Sequence, residues 1–431
     1  MNNTNWKKNV ILFLVSQAIT LFGSSIVQFA IVWYVTKQTQ SGVMMMLMIL
    51  CSFLPQILVS LFAGVWADRY SRKLMIALAD GCIAVATLVL AFIIMRSDDF
   101  IWALLIISAI RSVGAGIQMP AVNAAIPQIV PQEKLMKISG INSSMQSIIN
   151  LVTPAVAAAV LKWGAFEHIM FIDVLTAAIG ISVLTIFVPI PRLEKTEKLE
   201  KTGYFDDLKA GVSYTMSDSF LRKVLVISGV FCFLIVPAAF LNVLMVTRIF
   251  GADFAVDDYT YLTLNEMAFF IGALLGGLAI GAWGGFPNRL KTLGYGGLVF
   301  GITTIAIGVV DVFWVYLVIM LITGFAMPFN NVPFMVLLQE KVDPDKQGRV
   351  FSLMQIISSF VMLLGISVFG PLADVMPIQW LMIGSGIGLI LMTIAVFSWK
   401  SFYREGVMVK PSPENVGDDS ALREPGDFGN L

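Results

Sequence analysis

Residues 64–73 read Gly-Val-Trp-Ala-Asp-Arg-Tyr-Ser-Arg-Lys and carry one acid and three bases within the last six positions. Uncharged stretches flank this turn, residues 38–67 before it and residues 81–95 after it. A bilayer core about 30 Å thick needs about 20 apolar residues in a helix that crosses it. The charged turn is therefore predicted to join two membrane helices at the rim of the bilayer.

The composition of the whole chain is that of a membrane protein. Of the 431 residues, 58% are hydrophobic and only 13% are charged, whereas soluble domains average about 25% charged residues. The mean hydropathy is +0.85. The 28 Lys and Arg balance the 28 Asp and Glu, so no net charge attracts nucleic acid, and lipid is the expected partner.

The sequence carries no motif that supports catalysis or cofactor binding. The sequence has one histidine and three cysteines, and the cysteines are not spaced as metal ligands are. These residues therefore provide neither a metal site nor a Ser-His-Asp triad. A G-x-x-x-x-G-K-[ST] motif is absent from the sequence, so we do not expect ATP to be used. The chain is therefore not expected to be an enzyme or to hold a metal or cofactor.

Long uncharged runs predict an all-α integral membrane protein with twelve transmembrane helices in two six-helix, pseudo-symmetric halves. The predicted spans are 9–35, 41–66, 74–95, 100–122, 138–161, 167–188, 222–246, 260–284, 291–310, 313–336, 350–373 and 378–399.

A polar interruption divides the chain into two halves of similar length. Residues 191–221 are predicted to be a cytoplasmic linker between an N-terminal half, residues 1–190, and a C-terminal half, residues 222–400. Residues 401–431 are rich in Pro, Gly and acids and are predicted to be a disordered cytoplasmic tail. Two joined six-helix halves are the architecture of transporters that rock about a midplane site.

The distribution of cations predicts the orientation of the chain in the plasma membrane, because cytoplasmic loops are enriched in Lys and Arg. If the N-terminus is cytoplasmic, the external loops contain only Lys37, Arg96, Lys162 and Arg248. We therefore expect a multi-pass protein with both termini in the cytoplasm and a first helix that is retained.

The charged turn resembles the G-x-x-x-D-R-x-G-R-[RK] loop of the major facilitator superfamily, with Ser71 in place of the second Gly. The resemblance implies that this loop gates the cytoplasmic side, with Asp68 accepting hydrogen bonds from the start of the eleventh helix near Val350. The alternative is that its charges only satisfy the preference for cytoplasmic cations. The predicted gating residues are Gly64, Asp68, Arg69, Arg72, Lys73, Gly348 and Arg349.

Further stretches resemble the macrolide-efflux branch of that superfamily, close to its drug-proton antiporters. They include NWKKNVILFLVSQAITLFGSSIVQFAIVWYVT near the start, RSVGAGIQMPAVNAAIPQIVP beginning at Arg111, and GGLAIGAWGGF in the second half. The resemblance implies a secondary active exporter of small amphipathic drugs, working by alternating access in exchange for protons and driven by the proton gradient alone.

Charged residues within the spans are candidates for proton coupling, because a charge inside a bilayer needs a partner, water or a task. Arg111 resembles the helix 4 arginine of proton-coupled exporters, and its alternative role is a structural one, paired permanently to a carboxylate or to the backbone. Asp173 is expected near the outer water. Glu266 is expected either at the central cavity, as a proton site or a group that recognises cations, or at the outer rim. Asp80 is interpreted as structural, within reach of the cations that begin at Lys73.

Polar residues at helical spacing are candidates for the substrate cavity. Asn142, Gln146 and Asn150 recur every four residues and form one face of helix 5, which would be costly to expose to lipid. Pro154, followed by small residues, is predicted to bend that helix. The remaining cavity candidates are Gln17, Gln118 and Glu266.

Two other functions remain open at this stage. The chain could export an endogenous siderophore, peptide or metabolite, which competition for binding would distinguish from drug export. It could also be a membrane receptor or assembly subunit that transports nothing, in which case Asp68→Asn would change no flux.

Overall fold

The computed structural model describes residues 6–97, 99–190, 204–250, 259–343 and 346–405. A 3₁₀ turn, Gln132–Lys134, precedes α5, and a π-helical turn, Val246–Phe250, follows α10. The α-helices in chain order are α1 (Trp6–Thr39), α2 (Gly42–Arg69), α3 (Arg72–Ile94), α4 (Ile101–Ile129), α5 (Leu135–Trp163), α6 (Phe166–Phe187), α7 (Tyr204–Ser217), α8 (Ser219–Leu234), α9 (Val236–Phe240), α10 (Asn242–Met245), α11 (Thr260–Trp283), α12 (Arg289–Val309), α13 (Phe313–Lys341), α14 (Gln347–Val375), α15 (Ile378–Ser398) and α16 (Lys400–Glu405).

Eleven helices in the described part of the chain are long and apolar enough to cross a membrane. They correspond to eleven of the twelve predicted spans. The seventh predicted span, 222–246, is a series of short segments, α8 to α10 and the π-helical turn. Pro237, near the start of α9, has no N–H to donate to the preceding turn, which accounts for one of these breaks.

Several predicted boundaries differ from the structure. Helix α4 continues to Ile129 instead of ending at residue 122, although it contains Pro120 and Pro127, because a membrane helix tolerates proline where neighbouring helices pack around it. The predicted linker contains the helix α7, and residues 191–203 lie outside the described part. The predicted tail begins too early, because α16 is helical and Phe402 is buried against Phe220. Residues 406–431 lie outside the described part.

Among the described residues, three of the four clusters of buried hydrophobic side chains distinguish the two ends of the bundle: one is shared between the halves at one end, and two are separate at the other. The shared cluster holds side chains of both halves, including Trp33 from the N-terminal half and Met245 and Ile366 from the C-terminal half. At the opposite end, a cluster that includes Phe13 belongs to the N-terminal half and a cluster that includes Phe402 belongs to the C-terminal half. We call these the joined end, at the loops after α1, α3 and α5, and the split end, at the turns after α2 and α4.

At the joined end, Asp374 near the end of α14 caps the first turn of α2 in the opposite half. Its carboxylate accepts hydrogen bonds from the backbone N–H groups of Gly42 at 2.6 Å and Val43 at 2.9 Å, and from the Ser41 hydroxyl at 2.7 Å. Arg248 donates its Nη2 to the same carboxylate at 2.7 Å. The first N–H groups of a helix lack partners within the helix and carry the positive end of its dipole, so a carboxylate there is stabilising.

Arg248 extends this contact to the backbone before α2. Its Nε donates to the carbonyl oxygen of Gln40 at 2.9 Å, and Gln40 has a φ angle of 45°. Helices α2 and α14 approach closely here: a Cβ atom on Gly42 would lie 2.1 Å from the carbonyl oxygen of Gly370. We call Asp374, Arg248 and the turn that they hold the clamp, and it joins the two halves at this end.

Replacing Asp374 with Asn is expected to shift the protein towards a conformation with an open joined end. The amide lacks the charge that attracts Arg248 and the helix dipole, and hydrogen bonds to charged groups contribute about 1.5–3 kcal/mol, which is about a tenfold shift in a two-state equilibrium or more. Spin labels at the exposed positions Gln38 and Val312 would report a longer distance between the halves. Asp99→Asn, which changes an exposed acid outside the clamp, is the control. Identical distance distributions for the Asp374 variant and the wild type would contradict the role of the clamp.

Candidate functional site

A buried ion pair lies at the centre of the N-terminal half. Asp173 on α6 is fully buried, and its carboxylate accepts hydrogen bonds from the guanidinium group of Arg111 on α4, from the Thr87 hydroxyl on α3 at 2.9 Å and from the Ser24 hydroxyl on α1 at 3.0 Å. Arg111 also donates to the backbone carbonyl of Ser24 at 3.3 Å. Four helices therefore meet at one charged pair.

Close packing of α1 against α6 allows this pair to form. Gly23 precedes Ser24, and a Cβ atom at position 23 would lie 1.9 Å from the hydroxyl oxygen of Thr176 on α6. A charge at the centre of a membrane helix costs about 2.5–3.5 kcal/mol on insertion scales. The ion pair and its two hydroxyl donors offset this cost for both side chains.

The structure brings together two residues that the sequence treats separately. The contact between Arg111 and Asp173 matches the alternative in which Arg111 is paired with a carboxylate. The expectation that Asp173 lies near the outer water is wrong, because the side of α6 that carries Asp173 is covered by α1, α3 and α4. A role in proton coupling for either residue stays a prediction.

Within the described residues, Asp80 makes no hydrogen bond or ion pair with Lys73 or Arg72, and its structural role stays a prediction. Lys73 donates to the backbone carbonyl of Val188 at 2.8 Å, and Arg72 donates to that of Ala124 at 2.6 Å. Asp80 is 6% exposed, and its Oδ2 atom has no hydrogen-bond partner within the described residues. The cations are directed instead to carbonyl groups near the ends of α6 and α4, where the helix dipole favours positive charge.

A polar cavity of about 180 Å³ adjoins Arg111, between α1, α2, α3 and α4. Across it, the Gln28 amide donates to the Ser52 hydroxyl at 3.2 Å, and the Gln56 backbone N–H donates to the Ser112 hydroxyl at 2.9 Å. The Ser108 hydroxyl is buried without a partner in the described residues. Sequence reasoning missed these side chains, although they recur with the four-residue spacing that identifies a polar helix face. The three pairs are Ser24 and Gln28, Ser52 and Gln56, and Ser108 and Ser112.

Two cavity candidates from the sequence are in contact with each other. The Gln118 amide on α4 donates to the Gln17 side-chain oxygen on α1 at 2.9 Å. Gln17 is 4% exposed. The pair therefore links two helices within the N-terminal half.

The predicted polar stripe on α5 is largely uncovered. Gln146 and Asn150 are exposed and Asn142 is half-buried. The same spacing continues to Pro154, whose carbonyl oxygen accepts a hydrogen bond from the Thr263 hydroxyl of α11 at 3.4 Å. The stripe thus lies on the face of α5 that meets the C-terminal half at the joined end, and α5 continues as a helix through Pro154.

A second cavity, of about 670 Å³, lies between α1 and α5 on the opposite face of α5, and the stripe does not line it. Its lining residues are Ala18, Lys137, Gly140, Ile141, Ser144, Met145, Ile148 and Ile149. The role of the stripe in a substrate cavity therefore stays a prediction.

In the C-terminal half, Glu266 ends a short polar chain between α11 and α13. The Tyr316 hydroxyl donates to the side-chain oxygen of Asn265 at 2.7 Å, and the Asn265 amide donates to the Glu266 carboxylate at 3.3 Å. Glu266 is half-buried and lies one turn after Thr263, which contacts α5. This position is close to the interface between the halves, and sequence reasoning had not identified Tyr316 as the partner.

The structure shows part of the predicted gating loop. Gly64 and the side chains of Asp68 and Arg69 lie outside the described part, so the predicted latch to the start of α14 stays a prediction. Gly348 is exposed with open space around it. Arg349 is exposed and packs at the N-terminus of α14 against α7, where a Cβ atom on Gly211 would lie 3.1 Å from the Arg349 carbonyl oxygen.

Removing one member of the buried ion pair is expected to destabilise the protein more than removing both. Arg111→Gln or Asp173→Asn leaves the other charge buried without compensation, at a cost of about 3–5 kcal/mol, whereas the double variant leaves none. Asp343→Asn removes one partner of the exposed Lys346–Asp343 pair and should cost about 0–1 kcal/mol. Thermal unfolding in detergent measures all four, and additive effects of the two single substitutions would show that the side chains are not coupled.

Comparisons with known proteins agree with this architecture. The sequence profile of the Major Facilitator Superfamily matches residues 13–366. Macrolide efflux protein A of Streptococcus pyogenes is 30% identical over 395 residues, which covers 91% of this chain and 95% of that protein. The structure is similar to that of a mutant of the nucleoside transporter NupG, with a TM-score of 0.71 at 14% identity over 91% of this chain and 99% of that chain. A D-xylose-proton symporter gives a TM-score of 0.67 at 14% identity over 90% and 97% of the two chains.

These matches confirm the predicted all-α membrane fold and the resemblance to macrolide-efflux transporters. They identify a multi-pass membrane transporter of small substrates, as opposed to an enzyme. The chain belongs to the Major Facilitator Superfamily.

Proposed function

We propose that this transporter exports small amphipathic drugs of the macrolide type across the plasma membrane, by alternating access and in exchange for protons. The observation that carries the proposal is the 30% identity to Macrolide efflux protein A over 91% of the chain. At this coverage both six-helix halves and the interface between them correspond to the relative.

In the proposed cycle the structure is the inward-facing state. The predicted orientation places the joined end outside and the split end in the cytoplasm, so the clamp closes the outer side. The split end then admits a drug from the cytoplasm or the inner leaflet. In the opposite state the clamp opens, and Asp68 closes the inner side at the start of α14, as the resemblance of the charged turn implies.

Cargo recognition combines apolar surface with two kinds of polar group. A macrolide such as erythromycin has a large apolar ring and an amine that is protonated near neutral pH. Glu266 is half-buried beside the interface and provides a negative charge for such an amine. The exposed amides Gln146 and Asn150 provide donors and acceptors on the facing helix α5.

The proton gradient supplies the energy, without ATP or another cofactor. Asp173 or Glu266 carries the proton inward, and Arg111 adjusts the affinity of Asp173 for it through their direct contact. The D-xylose-proton symporter, whose fold is similar, is named for coupling to protons.

Accumulation of labelled erythromycin in a bacterium that lacks its own drug pumps tests this function. Cells with the protein should accumulate less drug than cells without it, and a protonophore or Asp68→Asn should restore accumulation. Unlabelled siderophores or peptides should not compete with erythromycin for export. Competition would instead indicate an endogenous cargo. Unchanged accumulation in cells shown to insert the protein would exclude macrolides as cargo.

Glu266→Gln is expected to weaken export of cationic macrolides by about tenfold, because a hydrogen bond to a charged group contributes about 1.5–3 kcal/mol. Export of an uncharged amphipathic analogue should change little. Glu167→Gln, at the start of α6, is the matched control for removal of a glutamate. An equal loss for charged and uncharged cargo would contradict recognition of the amine, and initial export rates at several drug concentrations would show it.

A further inference from the structure

Among the described residues, the interior of the N-terminal half contains two carboxylates and one cation. Asp80 and Thr87 are seven residues apart on α3, two helical turns, so they lie on the same face of that helix. Thr87 donates to Asp173 at 2.9 Å, and Arg111 contacts Asp173. Asp80 lies about 10 Å from Thr87 along the helix axis, at a rise of 1.5 Å per residue. Arg111 can neutralise only one of these two acids.

The two carboxylates have different surroundings. Asp173 accepts hydrogen bonds from Arg111, Thr87 and Ser24, as an ionised group requires. Asp80 is 6% exposed, and its buried oxygen Oδ2 has no donor in the described residues. A buried carboxylate without a donor or a cation is strongly unfavourable as an ion, and it becomes acceptable once it binds a proton.

In the part of the chain that the structure describes, no other charged group near α3 forms a hydrogen bond or ion pair with Asp80. Lys73 and Arg72, on α3 itself, donate to the carbonyl groups of Val188 and Ala124. On α4, Arg111 is the charged residue, and on α6, besides Asp173, Glu167 and His168 lie in the first turn at the joined end. The side chains of Asp68 and Arg69 on α2 lie outside the described part.

From this arrangement we infer that Asp80, Arg111 and Asp173 form a binding site for one exchangeable proton, and that Asp80 holds the proton in the state described here. The inference rests on the proposed function and deepens it: it assigns the transported proton to Asp80, which the sequence indicates only as structural, in place of Asp173 or Glu266. No covalent chemistry is involved. The proton leaves Asp80 when water stabilises its carboxylate, and it returns when that water is withdrawn.

A cavity that can hold water lies beside Arg111, one turn along α3 from Asp80. The cavity of about 180 Å³ is lined by Arg111 and by Ile83, which lies one turn after Asp80. A water molecule occupies about 30 Å³ in the liquid, so this space accommodates several. The serines and glutamines that line the cavity provide hydrogen bonds for those waters, among them the unpartnered hydroxyl of Ser108.

Asp80→Asn keeps the size of the protonated side chain and removes the exchangeable proton, so it separates coupling from transport. In proteoliposomes, the variant is expected to exchange labelled for unlabelled erythromycin within about twofold of the wild-type rate. It is expected to lose drug accumulation driven by a pH gradient by at least about tenfold. In weakly buffered detergent solution, its release of protons on drug binding, followed with a pH dye, should disappear. Asp311→Asn, an exposed acid in the loop before α13, is the matched control.

If Asp80→Asn releases protons and accumulates drug along the gradient as strongly as the wild type does, the inference is overturned while the proposed function stands. Failure of the wild type itself in both assays would overturn the proton exchange of the proposed function and this site with it. If Asp80→Asn does not fold, Asp80→Glu provides the test, because a longer carboxylic acid is expected to displace the pH profile of drug accumulation. An unchanged profile would then overturn the inference.

Discussion

Inside a bilayer a charged side chain has no bulk water around it, so every such charge must find a partner within the helix bundle. In the N-terminal half, this constraint determines how four helices pack. The Asp173 carboxylate accepts hydrogen bonds from Arg111 on α4, Thr87 on α3 and Ser24 on α1. Because Gly23 has no side chain, α1 can approach α6 closely enough for Ser24 to reach Asp173. The half is therefore held together by a polar centre as well as by apolar contacts.

Local spacing in the sequence predicts much of this fold but little of the site. Uncharged runs identify eleven continuous crossings, and four-residue spacing identifies the face of α5 that includes Asn150. The pairing of Arg111 with Asp173 joins residues 62 positions apart, and the clamp joins Ser41 and Asp374 over 333 positions. No local pattern contains such partners, because they depend on how separate helices pack against each other.

The seventh crossing shows why an uncharged run alone does not define a continuous helix. Between Ser219 and Phe250 the chain changes from α8 through two short helices to a π-helical turn. The two short helices and the residue between them contribute Val236, Leu241 and Met245 to the cluster shared by both halves. Short segments can adjust to the surface of α1 and α2, whereas a straight helix presents one fixed face. The broken crossing is thus part of the joined end, where the two halves meet.

The backbone of Gln40 gives the clamp a further property. Within the described residues Gln40 is the one non-glycine residue with a positive φ, and a left-handed conformation costs a residue with a side chain about 1–2 kcal/mol. Arg248 holds this conformation through the Gln40 carbonyl. The clamp thus holds the turn in a strained conformation. Strain of this kind offsets part of the stabilisation that the hydrogen bonds of the clamp provide.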